Sequence, residues 1–230
     1  MDIQAQKIFA WSGPVSLLMV MVGCMMAGFL PPPSPAATAE QIATFFRAHG
    51  NMILICGVIF MLSSVPFFLF IGELSAQIRR IEGNRRTFTY AQLAMGIGSM
   101  SAILLYALAW SVAAYRPERS ADVIQAFNDL GFFCIVMASP PAMGQVLMIG
   151  LATLSDKRAK PIFPRWFGYV SVFCAIAVLP GVLCVLVKTG PLAWDGMLAN
   201  TIPAFSFLPW CILTAVMLVR AINQQAAEEA

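Results

Sequence analysis

The sequence contains little charge and a single histidine. Only 11% of its 230 residues are Asp, Glu, Lys or Arg, against roughly a quarter in ordinary soluble domains. His49 lies outside the central parts of the long apolar runs, and those parts contain no Asp, Glu, His, Lys or Arg. Membrane haem and di-metal centres, proton pumps and ion-coupled carriers rely on several such side chains within the membrane. The shortage argues against most proteins of these classes.

Other chemical motifs are also missing. The sequence has no Ser/His/Asp set within the apolar runs and no glycine-rich phosphate loop, and the stretch "GIGSMSA" is typical of helix packing. All six cysteines lie in apolar runs without a Cys-x-x-Cys spacing, and the 14 methionines form no repeated Cu(I)-type motif. Basic residues are not interleaved with aromatic ones. We therefore predict no metal site, no cofactor, no disulfide and no nucleic-acid partner.

The sequence is instead rich in long runs of apolar residues. Hydrophobic residues make up 60% of the chain, and they occur in runs of about 20, enough to cross ~30 Å of hydrocarbon as helices. We predict a single all-α membrane domain over 1–230, with six transmembrane helices arranged as three hairpins. The predicted spans are 9–30, 51–74, 90–115, 131–154, 166–187 and 202–220.

The basic residues predict an orientation. Ten of the 14 Lys and Arg residues fall on the side of the two termini, and four fall on the other side. Because cytoplasmic loops carry the excess of Lys and Arg, both termini are predicted to be cytoplasmic. The first apolar run is longer than the core of a typical signal peptide, so we expect it to remain as a span. The predicted location is a cell membrane that the chain crosses several times.

Short amphipathic segments are predicted on the outer side, at 38–49, 120–130 and 191–200. The prolines Pro31 to Pro33 end the first span, and Thr38 and Gly50 are suitable start and stop signals for a short helix. In the first segment Ile42, Phe45 and Phe46 share one helical face. These segments either cover an outward-facing cavity or anchor the loops in the interface.

One part of the sequence resembles a group of uncharacterised bacterial membrane proteins of about this size. The resemblance is carried by "PPPSP", "TAEQIATFFRAHG" and "SAQIRRIEG", within residues 30–83. It implies bacterial origin, and therefore a bacterial inner membrane, and a six-span topology, and it assigns no functional residue.

Prolines inside the apolar runs indicate a candidate pocket. Pro66, Pro140–Pro141, Pro180 and Pro209 interrupt four spans, and each removes a backbone hydrogen bond. Broken helices are tolerated where they face protein or a polar cavity. We predict a mildly polar pocket between spans two, four, five and six. Its candidate residues are Ser63, Ser64, Ser139, Gln145, Ser206 and Trp210. Alternatively, the prolines only kink the helices for packing.

Glu73 is the acid placed deepest in a predicted span. It could guard the inner mouth of a pathway by pairing with Arg79 or Arg80. Alternatively, its side chain extends to the inner interface beside those arginines.

Three functions stay open at this point. The first is binding or passage of a small, weakly polar molecule, with no catalysis. The second is an accessory or scaffold subunit of a membrane complex. The third is an interfacial enzyme using Glu40, His49, Asp122 and Asp195. The expected partners are the lipid bilayer, a small hydrophobic ligand, and either further copies of the chain or another membrane subunit.

Overall fold

A computed structural model of the chain describes residues 2–229, and every regular element in that range is helical. The α-helices are α1 (Ile3–Met26), α2 (Ala39–Glu82), α3 (Thr87–Tyr115), α4 (Ala121–Phe132), α5 (Pro140–Ser155), α6 (Arg165–Val178) and α7 (Ile202–Glu229). Two π-helical turns cover Phe133–Met137 and Met197–Thr201, and a 3₁₀ helix covers Leu179–Leu186. Six stretches of the described chain are long and apolar enough to cross a membrane. The predicted all-α fold with six spans is confirmed.

Side chains at the first two helix starts satisfy backbone amides. The Asp2 carboxylate accepts a hydrogen bond from the Gln4 amide at 3.0 Å. At the start of α2, the Thr38 hydroxyl accepts from the Gln41 amide at 3.3 Å, and the Gln41 side chain accepts from the Thr38 amide at 2.8 Å. This reciprocal capping box fixes the start of α2 a few residues after the proline stretch.

The helix α2 is longer than the sequence signals indicate. It runs for 44 residues through both Gly50 and Pro66. A glycine inside a helix costs only about 1 kcal/mol relative to alanine, and burial of Ile42, Phe46 and Ile53 along α2 outweighs that cost. The predicted outer segment 38–49 is therefore the beginning of α2, and Gly50 does not end a helix.

The other two predicted outer segments differ from each other. Residues 121–132 form α4 and continue directly into the first π-helical turn. Residues 187–196 form no helix, because the turn at Gly196 directs the Leu198 amide to the Pro191 carbonyl at 2.8 Å. Within this loop the Trp194 ring stacks on Phe132 with centroids 5.0 Å apart. The third predicted segment, 191–200, is thus a packed loop up to residue 196 followed by a π-helical turn, not an amphipathic α-helix.

The connections α1–α2, α3–α4 and 187–196 meet at one end of the bundle, called the loop end below. The Arg47 guanidinium donates to the Pro117 carbonyl at 3.0 Å, and the Gln125 amide donates to the Ala37 carbonyl at 3.1 Å. The Trp194 indole donates to the carbonyl of Pro33 at 2.8 Å. The PPPSP stretch is therefore tied to the loop 187–196.

The opposite end, called the terminal end, gathers the C-terminal parts of α2 and α7 and the α5–α6 connection. Arg80 of α2 forms an ion pair with Glu228 of α7 at 2.7 Å. The Gln224 amide donates to the Lys160 carbonyl at 3.3 Å. The predicted grouping of the loops into two sets is the one found in the structure.

Two clusters of buried apolar side chains form the core. The cluster nearer the terminal end includes Phe70 and Trp210, and the cluster nearer the loop end includes Phe29, Trp110 and Trp194. In the second cluster the rings of Phe29 and Trp110 are stacked, with centroids 3.4 Å apart. The candidate site is bounded by residues of both clusters.

Candidate functional site

Three of the six spans are interrupted within the membrane. The fourth span changes from α4 to a π-helical turn and breaks at Ala138 and Ser139 before α5 begins. The fifth tightens from α6 into a 3₁₀ helix at Leu179, and the sixth opens with a π-helical turn before α7. Irregular backbone at membrane depth is tolerated only where it is buried in protein or lines a cavity. The interruptions therefore indicate where a site could be built.

Proline accounts for the positions of these interruptions. Pro140 and Pro141 open α5, Pro180 lies in the first turn of the 3₁₀ helix, and Pro203 lies in the first turn of α7. At these positions proline is tolerated because its missing amide is not needed for a helical bond. The sequence analysis placed the sixth interruption at Pro209, but α7 continues through that residue.

The three interruptions converge at Gly181, which follows Pro180. A methyl group placed on its Cα would lie 2.8 Å from the Val136 carbonyl oxygen. It would also lie 3.4 Å from both the Ala199 carbonyl oxygen and the Ser139 hydroxyl oxygen. Only glycine allows backbone of all three spans to approach this closely.

A cavity of about 330 Å³ lies beside this junction. Its aromatic wall consists of Phe29, Phe67, Tyr106, Phe132 and Phe207. Its polar groups are few and come from Ser99, Tyr106, Ser139, Asn200 and Cys24. Among residues 2–229, no Asp, Glu, Lys, Arg or His lines it.

The cavity reaches the outside of the bundle between α1 and α7. Its lining includes Met21 and Leu30 on the α1 side and Ala204 on α7, and all three are exposed at the bundle surface. These residues belong to the half of α1 and of α7 nearer the loop end. In a membrane this face contacts lipid, so the cavity opens toward the bilayer.

The predicted pocket residues lie in several different environments in the structure. Ser139 lines the cavity, and its hydroxyl donates to the Val178 carbonyl at 3.5 Å. Ser63 and Ser64 instead donate to carbonyls of their own helix, those of Phe60 and Met61, both at 2.7 Å. These two serines are not among the cavity lining.

The remaining three predicted residues lie closer to the terminal-end cluster. The Trp210 indole donates to the Ser171 hydroxyl at 3.0 Å, and the Ser206 carbonyl accepts from the Cys174 thiol at 3.3 Å. The Gln145 amide packs against Gly96 on α3, and neither its nitrogen nor its oxygen has a hydrogen-bond partner within residues 2–229. None of the three is in the cavity lining.

The sequence analysis missed most residues that do line the cavity. Phe29, Ser99, Tyr106 and Asn200 carry no local signal that separates them from packing residues. Gly181 had a usable signal, since a glycine directly after a proline inside an apolar run is unusual in a regular helix. Together with Pro203, this signal would have indicated the level along the spans at which the interruptions lie.

Glu73 belongs to a separate polar group at the terminal end. It is 1% exposed, and its carboxylate accepts from the Gln77 amide at 2.8 Å. Gln77 also accepts from Arg80 at 2.7 Å and donates to Gln225 of α7 at 3.2 Å. Arg79 is exposed and forms no ion pair with Glu73. The structure therefore links Glu73 to Arg80 through Gln77.

Two of the residues considered for an interfacial enzyme, Glu40 and His49, have partners within their own helix. Glu40 lies 3.9 Å from Arg47 in an exposed ion pair. The ring nitrogen Nδ1 of His49 lies 3.0 Å from the Phe45 carbonyl, and the two rings are stacked. Within residues 2–229 no group of three His, Cys, Asp or Glu residues is placed to hold a metal ion.

Asp156, in the α5–α6 connection, is the most strongly held carboxylate outside the spans. Burial disfavours its charge, but the Arg158 guanidinium donates to it at 3.0 and 2.8 Å, and the Ile162 amide donates at 3.0 Å. These bonds outweigh the burial, so the pKa of Asp156 is lowered below its ordinary value. Asp156 thus fixes the turn between α5 and α6.

Comparison of this chain with protein-family models, with curated proteins and with solved structures finds no match.

Proposed function

We propose that this multi-pass membrane protein binds or passes a small, weakly polar molecule, without catalysis, through the cavity beside Gly181. The observation that carries the proposal is the cavity itself. Its volume of about 330 Å³ falls within the roughly 300–1,000 Å³ of small-molecule sites. Such sites are mostly apolar with a few polar groups, which is the composition of this lining.

The charge of the lining supports an uncharged ligand. Burying an unpaired charge in an apolar cavity costs several kcal/mol or more, and no charged side chain of the described chain lines the cavity to offset that cost. The opening between α1 and α7 supports entry from the bilayer, where uncharged apolar molecules concentrate.

The distribution of Lys and Arg supports an orientation in which the loop end is outside and both termini are cytoplasmic. With that orientation the cavity lies in the outer half of the membrane. The resemblance of residues 30–83 to bacterial six-span proteins adds a bacterial inner membrane to the proposal.

The first experiment is native mass spectrometry of the protein extracted gently from its own membrane. We expect a small, uncharged molecule to be retained by a monomer or a homo-oligomer. Stoichiometric association with a different polypeptide, with no retained molecule, would instead favour an accessory subunit and contradict the proposal.

A matched pair of variants locates the bound molecule. Ala102 lines the cavity on α3, whereas Ala94 on the same helix is exposed. We expect Ala102→Phe to fill the cavity and lower retention by about tenfold or more, equivalent to ~1.4 kcal/mol of binding free energy. Ala94→Phe should leave retention unchanged. Equal retention by both variants would place the molecule elsewhere.

A further inference from the structure

Two prolines occupy the positions whose backbone amides would bond the Val136 carbonyl in an α-helix or a π-helix. In an α-helix its partner would be the amide of residue 140, and in a π-helix the amide of residue 141. Pro140 and Pro141 occupy both positions and have no amide hydrogen. Continuation of the fourth span therefore cannot satisfy this carbonyl.

On the sixth span proline removes only the α-helical donor, since the π-helical partner of the Ala199 carbonyl is residue 204, which is an alanine. The α-helical partner of the Ala199 carbonyl would be the amide of residue 203, which is Pro203. Two carbonyls from different spans thus lose their α-helical donors to proline, and the oxygens of both lie within 3.4 Å of the position that a methyl group on Gly181 would take.

A third acceptor lies at the same point. The Ser139 hydroxyl uses its hydrogen toward the Val178 carbonyl, so its oxygen faces Gly181 as an acceptor. Val136, Ser139 and Ala199 all line the cavity. The junction therefore brings three acceptors together at the edge of a cavity whose lining is mostly apolar.

Acceptors in an apolar cavity need donors, because an unsatisfied buried polar group costs about 1–3 kcal/mol. We infer that the cavity selects uncharged amphiphiles that carry a hydrogen-bond donor, a hydroxyl or an N–H group. The donor binds the carbonyls of Val136 and Ala199 and the hydroxyl oxygen of Ser139. The apolar part of the ligand lies against Phe29, Tyr106 and the rest of the aromatic wall.

This inference rests on the proposed function and makes it more specific. An amphiphile without a donor, such as an ether or an ester, would leave the acceptors at Gly181 unpaired. A site of this kind rejects the analogue that lacks the hydrogen-bonding group more strongly than it rejects a small change in length.

The test uses two probes of identical composition, n-octanol and heptyl methyl ether. Both contain the same atoms, and only the alcohol has a donor. Apparent affinities are obtained from the rise of the thermal unfolding midpoint with probe concentration in detergent, since a ligand of the native state stabilises it. We expect the alcohol to bind about tenfold more tightly than the ether, the effect of one hydrogen bond.

Variants separate binding at this junction from partition of the probes into detergent. The ratio of the two affinities is compared between proteins, so differences in partition cancel. Ser139→Ala removes one acceptor and should reduce the ratio several-fold. Gly181→Ala should abolish it, because the added methyl group would contact the Val136 carbonyl oxygen. Gly72→Ala is the control, since nothing lies within 4 Å of a methyl group at that position.

Each outcome has one meaning. A ratio near one in the parent protein, with saturable binding of both probes that Ala102→Phe removes, would overturn the donor requirement and leave the proposed function standing. Failure of both probes to bind would overturn both the inference and the proposed function. If Gly181→Ala does not fold, Ser139→Ala decides, and an unchanged ratio in that variant would contradict the inference.

Discussion

At the scale of single residues, the chain holds its few charges outside the cavity. Asp156 receives hydrogen bonds from the Arg158 side chain and from the Ile162 backbone, and its side chain is 1% exposed. Such a carboxylate is stable only because every lone pair that burial removes from water meets a donor.

The lowered pKa of Asp156 predicts how stability depends on pH. A carboxyl whose pKa is lower in the folded than in the unfolded state stabilises the fold fully above its unfolded pKa, near 3.8. That contribution is lost as the pH falls through the folded pKa. We therefore expect the thermal unfolding midpoint to fall below about pH 4, and more steeply in the parent than in Asp156→Asn.

At neutral pH, Asp156→Asn should lower the free energy of unfolding by about 1–3 kcal/mol, since it loses charge-assisted hydrogen bonds. Glu118→Gln, at an exposed position of the α3–α4 connection, is the matched control and should have little effect. Identical pH profiles for Asp156→Asn and the parent would contradict the assignment.

At the scale of elements, the effect of a proline depends on where it lies in its helix. Pro66 and Pro209 are inside α2 and α7, which continue through them. Pro140 and Pro203 lie in first turns and remove the α-helical donors of carbonyls in the preceding turn. The sequence shows all four as prolines in apolar runs. Only the packing of neighbouring helices decides whether a kink or an interruption results.

Glu73, Gln77 and Arg80 form the polar group that joins α2 to α7. Substitutions of Glu73 and of Gln77 are predicted to have different effects on the free energy of unfolding. The second carboxylate oxygen of Glu73 has no partner in the described chain, and Gln77 keeps Gln225 as an acceptor when Glu73 is removed. Glu73→Met should therefore leave the free energy of unfolding unchanged or raise it. Gln77→Met should lower it by about 1–3 kcal/mol, because Glu73 and Arg80 each lose a buried partner.

Thermal unfolding of the purified protein in detergent checks this pair, with Arg79→Met at an exposed position as the control. The same variants test the gate hypothesis. If Glu73 and Arg79 guard a pathway, both substitutions should change passage of the ligand. A larger loss of stability in Glu73→Met than in Gln77→Met would show that the carboxylate, not the amide, holds α2 to α7.

At the scale of the whole molecule, polar side chains join different elements at both ends of the bundle. The loop end is closed by Trp194 on Pro33 and by Arg47 on Pro117. The terminal end is closed by the Arg80–Glu228 ion pair. Between these ends α1 is the least buried of the six spans.

The proposed orientation predicts which loops a membrane-impermeant thiol reagent reaches. Ser34 at the loop end and Asn84 at the terminal end are both exposed. In a cysteine-free parent placed in intact cells, we expect Ser34→Cys to be labelled from outside and Asn84→Cys only after lysis. The reverse pattern would invert the orientation and move the cavity to the inner half of the membrane.

The sequence pattern was sufficient to predict the six spans and the grouping of the loops at the two ends of the bundle. Both are local properties, since an apolar run of sufficient length must be helical in lipid whatever surrounds it. It was also sufficient to place Ser139 and the prolines before α5 near a candidate site. It could not separate Ser139 from Ser63, because a serine that bonds its own helix and one that lines a cavity look alike in sequence.

By itself, then, the sequence determined an all-helical membrane protein of six spans with few charges within the membrane. The tertiary structure decided that α2 continues through Gly50, that residues 187–196 pack as a loop, and that three interrupted spans meet at Gly181. The physical reason is that a helix depends on neighbours along the chain. A cavity depends on which faces of distant helices are brought together, and no local pattern records that choice.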